Sequence, residues 1–252
     1  MIDAIFWGLI QGLTEFLPIS SSGHLVLIPA LFGREGPDLA TSALLHLGTL
    51  AAVVAYYRND VARLIKFDRP ARKVITLIII GTIPAVILGL TFEDTLDRLT
   101  DMPDAVAVAM IVTGVILIAT VLIRVGDKTM SDLSATDAGL IGLAQSLALI
   151  PGISRSGMTI SAGLVRGQGR VEAARFGFLL GIPAIAGAGV FELIKLLDEP
   201  GGVTGATWVG VVVAGVTGYI AIAVLLRVLT RFGLAPFGIY CIAFGTLSLL
   251  VL

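Results

Sequence analysis

The sequence has little charge, few aromatic residues and a single cysteine. Charged residues make up 14% of its 252 residues and aromatic residues 7%, whereas a soluble domain has roughly 25% charged residues. Because Cys241 is the one cysteine, no disulfide and no cysteine-based metal site can form within one chain. The formal net charge of −1 shows no basic excess, so nucleic acid is not an expected partner.

Apolar residues take the place of the missing charge. They form 56% of the chain, and the mean hydropathy is +0.99. Ranges 106–123 and 209–226 are nearly continuous apolar runs, which is typical of transmembrane helices rather than of alternating barrel strands. The first apolar stretch lacks a basic start and is interrupted by Asp3, so we do not expect a cleavable signal peptide. We predict a multi-pass protein of the plasma membrane.

Six apolar runs are long enough to cross the hydrocarbon core as helices. They lie near 39–57, 74–90, 104–124, 176–197, 206–226 and 234–252. Two further apolar segments, 1–32 and 136–165, are interrupted by Pro18 or Pro151 and by Ser/Gly clusters. Because unpaired backbone at membrane depth must lie inside protein or beside a wet cavity, we predict that each forms a re-entrant helical hairpin. The predicted fold class is an all-α polytopic membrane protein with six transmembrane spans plus two re-entrant hairpins.

The two interrupted segments resemble each other. Gln11 aligns with Gln145 at an offset of 134 residues, and a Leu, an Ile, two Ser and a Gly also coincide at that offset. We interpret the similarity as an internal duplication, with convergence on small turn-forming residues as the alternative. The first repeat then covers 1–125 and the second 136–252. Each holds one hairpin and three spans, and together they form one membrane domain.

Loop charges predict that the two repeats have opposite topology. Loop 58–73 is rich in Arg and Lys and is cytoplasmic by the positive-inside rule, whereas the acidic loop 91–104 lies outside. The first hairpin then enters from the outer face and the second from the cytoplasmic face. Inverted repeats place their site near the midplane, where broken helices meet. We therefore predict a site that opens to the outer face.

Ionisable groups at membrane depth are costly and usually mark a site. Glu15 shares a helix face with Gln11 because the two residues are four apart. Its carboxylate can ligate a hard cation such as Mg²⁺ or Ca²⁺, act as a base, or carry a proton as in transporters. Hydroxyls and unhindered N–H groups at a helix start favour an anion such as phosphate. The first hairpin supplies them at Ser20, Ser21, Ser22 and Gly23.

The second hairpin repeats this arrangement with a guanidinium. Its residues are Ser154, Arg155, Ser156 and Gly157. A guanidinium fork binds phosphate in two-point contact, and a buried one needs an anionic partner. Carboxylate, hydroxyl or imidazole, and arginine together are typical of phosphoryl chemistry. Taken singly, a Ser/Gly turn is also a helix-packing point, and His24 is also explained as the cap of a carbonyl. His46 is interpreted as a hydrogen-bonding support, with a direct role as the alternative.

Two long motifs resemble the signatures of a known family. Residues 11–25 (QGLTEFLPISSSGHL) and 151–161 (PGISRSGMTIS) are similar to the two signature motifs of the undecaprenyl-diphosphate phosphatase family, which is linked to bacitracin resistance. The resemblance extends to 47–51, 83–85 and 175–183, so it covers most of the chain. It implies an integral membrane enzyme that removes the terminal phosphate of a polyprenyl diphosphate. The monophosphate then returns to cell-envelope glycan synthesis.

The resemblance also implies roles for individual residues. The expected catalytic residues are Glu15, Ser21, His24 and Arg155. The expected substrate-binding residues are Ser20, Ser22, Gly23, Ser154, Ser156, Gly157 and Thr159. Ser21, His24 or a water are the alternatives for the nucleophile, and we favour Ser21.

A divalent cation, Mg²⁺ or Ca²⁺, is the expected cofactor, with Gln11 and Glu15 as its ligands. The family often has Glu at the position of Gln11, and an amide can ligate through oxygen but adds no charge and cannot act as a base. The expected partners are the polyprenyl diphosphate and the membrane, with a homodimer as a candidate assembly. A secondary transporter or lipid flippase with an inverted-repeat fold is the alternative function.

Overall fold

The computed structural model describes residues 1–197 and 205–252, and its long elements in these ranges are all helices. Residues 198–204, which fall in the predicted second repeat, lie outside the described part. The helices are α1 Ile2–Phe16, α2 Ser21–Leu31, α3 Leu39–Tyr56, α4 Arg58–Ile65, α5 Arg69–Thr91, α6 Glu93–Thr100, α7 Pro103–Ala119, α8 Ala135–Leu147, α9 Arg155–Val165, α10 Arg170–Leu197, α11 Gly205–Phe232 and α12 Ala235–Val251. Short 3₁₀ turns lie at Thr120–Leu122 and Met130–Asp132.

Among the described residues, three helical stretches are long and apolar enough to cross a membrane. They are Arg69–Thr91, Pro103–Leu122 and Gly205–Phe232, and shorter apolar helices lie at Ser21–Leu31, Thr41–Tyr56 and Ala235–Val251. The predicted all-α class is confirmed in the described residues, and these helices agree with a polytopic membrane protein. The finer division into six spans and two re-entrant hairpins stays a prediction.

Both interrupted segments fold as a helix, a short turn and a second helix. α1 ends at Phe16 and α2 begins at Ser21, and α8 ends at Leu147 while α9 begins at Arg155. Pro18 and Pro151 lie in the two turns, where a residue without a backbone N–H cannot continue the first helix. Each hairpin therefore presents the end of one helix and the start of another to the same place in the interior.

Packing between the two halves fixes the hairpins. α1 packs along α11, α8 along α5, α7 along α12, and α3 between α10 and α11. Small residues permit these close approaches: a β-carbon at Gly12 would lie 2.5 Å from the carbonyl oxygen of Ala214. Such contacts drive helix association in lipid, where the hydrophobic effect does not. Each hairpin is thus held by a helix that is distant from it in sequence.

Candidate active site

The turns of the two hairpins meet at a cavity of about 230 Å³. Its polar wall consists of Glu15, Ser20, Ser21, Ser22, His46, Ser154 and Arg155. Its apolar wall consists of Ala148, Leu149, Ile153, Ala184 and Ile185. The cavity is therefore amphipathic, with charge and hydroxyls on one side and aliphatic side chains on the other.

Glu15 is the centre of the polar contacts. It lies in the last turn of α1 and is 7% exposed. Its Oε2 accepts hydrogen bonds from Ser21 Oγ at 2.6 Å and from Gln11 Nε2 at 2.9 Å. Its Oε1 pairs with Arg155 Nη2. A buried charge is costly unless it is both paired and hydrogen-bonded, and Glu15 meets both conditions.

Arg155 is the first residue of α9 and reaches the cavity from the second hairpin. Its Nη1 donates to the carbonyl oxygen of Gly181 at 3.2 Å, and its Nη2 donates to Glu15. Gly181 leaves room for this side chain, because a β-carbon would lie 2.5 Å from Arg155 Nη1 and would displace the guanidinium. A guanidinium has five N–H donors, so Arg155 keeps donors for an anion in the cavity. This geometry suits a phosphate group.

The two turns also touch each other directly. Ser156 Oγ donates to the carbonyl oxygen of Leu17 at 3.2 Å, and the backbone N–H of Gly152 donates to Ser22 Oγ at 3.5 Å. Together with the Glu15–Arg155 pair, these contacts join the hairpins into one polar unit. The site is therefore formed only when both halves of the chain are folded.

His46 faces Glu15 across the cavity. Its Nε2 lies 3.5 Å from Glu15 Oε2, and its Nδ1 lies 2.7 Å from the carbonyl oxygen of Ser42. Because a carbonyl only accepts, Nδ1 carries the proton and Nε2 is directed at the carboxylate. The side chain is 29% exposed and lines the cavity. The sequence had given His46 a supporting role with a direct role as the alternative, and the geometry favours the direct role.

His24 lies apart from this cavity, among aromatic side chains of α12. Its ring stacks on Phe244 and Tyr240, with centroid distances of 4.9 and 5.7 Å. Its Nδ1 lies 2.7 Å from the carbonyl oxygen of Ser20, and its Nε2 lies 2.7 Å from the hydroxyl of Tyr240. Both ring nitrogens are thus engaged within the protein. The catalytic role expected for His24 has no support from this geometry, which instead links α2 to α12.

The expected substrate-binding residues divide into two groups. Ser20, Ser22 and Ser154 line the cavity. The remaining four support it: Gly23 and Gly157 donate their N–H groups to the capping hydroxyls of Ser20 and Ser154. Ser156 bonds the opposite hairpin, and Thr159 Oγ1 donates to the carbonyl oxygen of Arg155 at 2.9 Å.

The expected cation ligands are one amide and one carboxylate. Within 1–197 and 205–252, no group of three or more His, Cys, Asp or Glu is placed to hold a metal ion. Gln11 is fully buried, donates Nε2 to Glu15, and leaves Oε1 without a described partner. The expected pair of ligands therefore offers one carboxylate, which is already bonded to Arg155 and Ser21. A cation here would depend on oxygens of the substrate, as is usual for Mg²⁺ at phosphates.

Sequence reasoning missed the apolar wall and the partner of Arg155. Ala184 and Ile185 follow Pro183 in α10, and the carbonyl of Gly181 in the same helix receives Arg155. A signal was present, because the pair Leu47–Gly48 recurs as Leu180–Gly181 at an offset of 133 residues. His46 directly precedes the first pair, and Gly181 belongs to the second.

The described residues form an all-α membrane protein, in which a cavity between two interrupted hairpins brings together a carboxylate, a guanidinium and hydroxyls. Residues 4–247 match the profile of the family described as bacitracin resistance protein BacA. The chain belongs to this family.

Full-length relatives share this similarity. An undecaprenyl-diphosphatase of Nocardioides sp. is 42% identical over 265 aligned positions, which cover 99% of this chain and 96% of the relative. An undecaprenyl-diphosphatase of Thermomicrobium roseum is 41% identical, with 99% and 97% covered. One of Methanosphaera stadtmanae is 37% identical, with 100% and 98% covered. The similarity therefore includes both hairpins and every helix between them.

Proposed function

We propose that this protein is an undecaprenyl-diphosphatase of the plasma membrane. It would hydrolyse a polyprenyl diphosphate to the monophosphate and phosphate, and so return the carrier lipid to cell-envelope glycan synthesis. Relatives that are 40–42% identical over nearly their whole length carry this name. The observation that carries the proposal is the contact chain Ser21–Glu15–Arg155, which joins a hydroxyl, a carboxylate and a guanidinium in one cavity.

The polar wall and the apolar wall of the cavity suit the two parts of a lipid diphosphate. The guanidinium of Arg155 and the hydroxyls of the polar wall would hold the diphosphate, since charge-assisted hydrogen bonds to phosphate oxygens are strong. The apolar wall at Leu149 and Ile185 would receive the first carbons of the tail. A transition state that gains charge on the transferred phosphoryl oxygens is then stabilised by donors already in place.

In the first step, Ser21 Oγ attacks the terminal phosphorus. Its proton passes to Glu15, whose Oε2 lies 2.6 Å away. The bond between the terminal phosphorus and the bridging oxygen breaks, and the polyprenyl monophosphate leaves with the bonding electrons. Ser21 then carries the phosphoryl group.

In the second step, water attacks the phosphorus of the phosphoserine, and the proton of that water passes to His46 Nε2, because Glu15 still holds the proton of Ser21. The bond between phosphorus and Ser21 Oγ breaks, free phosphate leaves, Glu15 returns its proton to Ser21 Oγ, and His46 releases its proton to water. His46 is assigned to this transfer because it faces the cavity and Glu15.

Replacing His46 with Ala should therefore slow turnover. Replacing His24 with Phe, which preserves the stacking on α12, should change turnover little.

The expected divalent cation would act with the substrate rather than as a resident group. It would be held by Glu15 and by phosphate oxygens, and the chemistry it would supply is neutralisation of phosphate charge. The two steps above are derived from the chain's own residues.

We propose six spans and two re-entrant hairpins arranged as an inverted repeat, with the cavity opening to the outer face. The helix bounds and the similar turns of α1–α2 and α8–α9 support this arrangement. In a chain carrying Cys241→Ser, Asp101→Cys should be labelled in intact cells by an impermeant thiol reagent, and Lys66→Cys should not. The reverse pattern would make the site cytoplasmic.

A homodimer is a further expectation, which the mass of the detergent-solubilised protein tests.

Phosphate release by the purified protein in detergent tests the function. The wild type should release phosphate from undecaprenyl diphosphate, and Ser21→Ala should lose turnover by a factor on the order of 10³ or more. Ser146→Ala is the matched control, because Ser146 bonds its own helix at the carbonyl of Leu143. If Ser21→Ala kept wild-type turnover, Ser21 would not be the nucleophile, and His24 or water would remain. If the wild type released nothing, the transporter or flippase alternative would replace the enzyme, because detergent leaves no second compartment.

A further inference from the structure

Two apolar grooves lie on the surface formed by the described helices. The α5/α10 groove has a volume of about 270 Å³ and is lined by Ile78, Ile79, Thr82, Ile83, Val86, Ile87 and Pro183. The α3/α11 groove has a volume of about 500 Å³, and Gly48, Ala51, Ala55, Val212 and Val216 are among the residues that line it. They differ in their relation to the active-site cavity.

The α5/α10 groove borders the apolar wall of that cavity through both of its helices. On α10, Pro183 of the groove is followed directly by Ala184 and Ile185 of the cavity. On α5, Thr82 and Val86 of the groove lie seven and three residues before Gly89 and therefore share its helix face, and a β-carbon at Gly89 would lie 3.8 Å from Leu149 of the cavity wall. The groove therefore adjoins the apolar wall of the cavity along both helices.

The α3/α11 groove is turned away from the cavity. An α-helix advances about 100° per residue, so Gly48, Ala51 and Ala55 lie roughly 140–200° around α3 from His46. His46 faces the cavity, and the groove is therefore on the opposite face of the helix. The two grooves are alike in polarity and differ in access, which makes the α3/α11 groove a control for the other.

Helix packing also explains why the α5/α10 groove is open. α3 and α11 pack closely at Gly48, where any β-carbon would collide with the backbone of Val211. In α10 the repeat-related glycine is Gly181, and the space beside it is taken by Arg155. α10 instead meets α5 at Gly81, where a β-carbon would lie 2.9 Å from Leu180 Cδ1. Beyond that contact the two helices leave the groove between them.

We propose that the α5/α10 groove holds the first part of the polyprenyl tail while the diphosphate lies at Arg155. The proposal rests on the proposed function. The lining residues on α5 extend from Ile78 to Ile87, which is about 14 Å at 1.5 Å per residue, so the rest of an undecaprenyl chain remains in the lipid. The groove distinguishes substrates with long tails from those with short tails, because a short prenyl group ends before it reaches Pro183.

A pair of tryptophan substitutions tests this subsite. Val86 and Val216 are the same residue type and are 50% and 58% exposed in the two grooves. Val86→Trp should lower kcat/KM for undecaprenyl diphosphate about tenfold or more, since misfit in an apolar pocket has an effect of roughly 10- to 200-fold. It should leave kcat/KM for dimethylallyl diphosphate unchanged. Val216→Trp should leave both values unchanged.

The outcomes separate the subsite from the function. The proposed tail subsite would be overturned if Val86→Trp and Val216→Trp had equal effects on undecaprenyl diphosphate. It would also be overturned if Val86→Trp caused an equal loss on undecaprenyl diphosphate and on dimethylallyl diphosphate. An inactive wild type would instead remove the proposed function. If Val86→Trp does not fold, photolabelling of the wild-type protein tests the tail subsite instead. A substrate with a photoreactive group on its second isoprene unit should label α5 and not α11. Labelling of α11 alone would also overturn the proposal.

Discussion

The two hairpins are built alike and carry opposite charges. Ser20 and Ser154 each cap the second helix by accepting an N–H three residues ahead, at 3.2 and 3.1 Å. Each also lies 3.2 Å from the hydroxyl two residues ahead. The difference lies in the charged residues: Glu15 is in the last turn of the first helix of one hairpin, and Arg155 is the first residue of the second helix of the other. Similar turns thus position an acid in one hairpin and a cation in the other.

The two charges lie on different hairpins for an energetic reason. A hairpin with either charge alone would hold an unpaired ion in the interior, where the cost is several kcal/mol per ion. When the turns meet, Glu15 and Arg155 neutralise each other and still border a cavity. Charge pairing across the hairpins therefore offsets the cost of burying either charge and places both groups beside the cavity in the same contact.

The largest expected effect comes from changing the cation of the second hairpin. Arg155→Lys keeps the charge that pairs with Glu15 but loses the planar fork that binds two oxygens. We expect turnover to fall by a factor on the order of 10² to 10³, as for the loss of one such donor. This loss of turnover is measured as phosphate release from undecaprenyl diphosphate by the purified variant.

Arg166→Lys is the matched control for Arg155→Lys. Arg166 pairs with Asp137, 2.6 Å from its Nε, at the far end of α9, so this variant should keep near-normal turnover. Near-normal turnover of Arg155→Lys itself would remove the phosphate-binding role of the fork.

Local patterns allowed the all-α class and the breaks of both hairpins to be predicted. The prolines and the Ser/Gly clusters are local signals, and they placed these breaks correctly. Glu15 and Arg155 stood out because charge is rare in apolar sequence, whereas Ser21 was singled out from its neighbouring hydroxyls by the family resemblance. His24 and His46 could not be ranked in this way, because their surroundings are set by α12 and by α1. The grooves depend on how distant helices pack, which no local pattern contains.

A smaller effect is expected from one substitution made at equivalent positions of the two hairpins. Gln11 Nε2 donates to Glu15, whereas Gln145 Nε2 lies 3.4 Å from the carbonyl oxygen of Gly81. Gln11→Glu would place a second carboxylate beside Glu15 and complete a two-carboxylate cation site, so we expect turnover within about threefold of wild type and a stronger dependence on Mg²⁺.

Gln145→Glu should behave differently, because the new carboxylate would face a carbonyl with no cation beside it. Burial of such an unpaired charge should lower the thermal midpoint of the detergent-solubilised protein, with no gain in Mg²⁺ dependence. Activity against Mg²⁺ concentration and thermal unfolding, measured on both variants, separate the two positions. An unchanged Mg²⁺ dependence in Gln11→Glu would mean that a cation does not act beside Glu15.

The smallest effect concerns the shared caps. Ser20→Ala and Ser154→Ala each remove a hydroxyl that accepts the N–H of Gly23 or Gly157, and the loss of such a cap costs about 1 kcal/mol. Because the two caps have the same geometry, the two variants should lose similar amounts of stability in thermal unfolding. Ser20 precedes Ser21, and Ser154 precedes Arg155, so turnover should fall in both as the helix starts become less ordered. A loss of stability confined to Ser20→Ala would show that only the first turn depends on its cap, and the likeness between the hairpins would then be one of sequence without a shared energetic role.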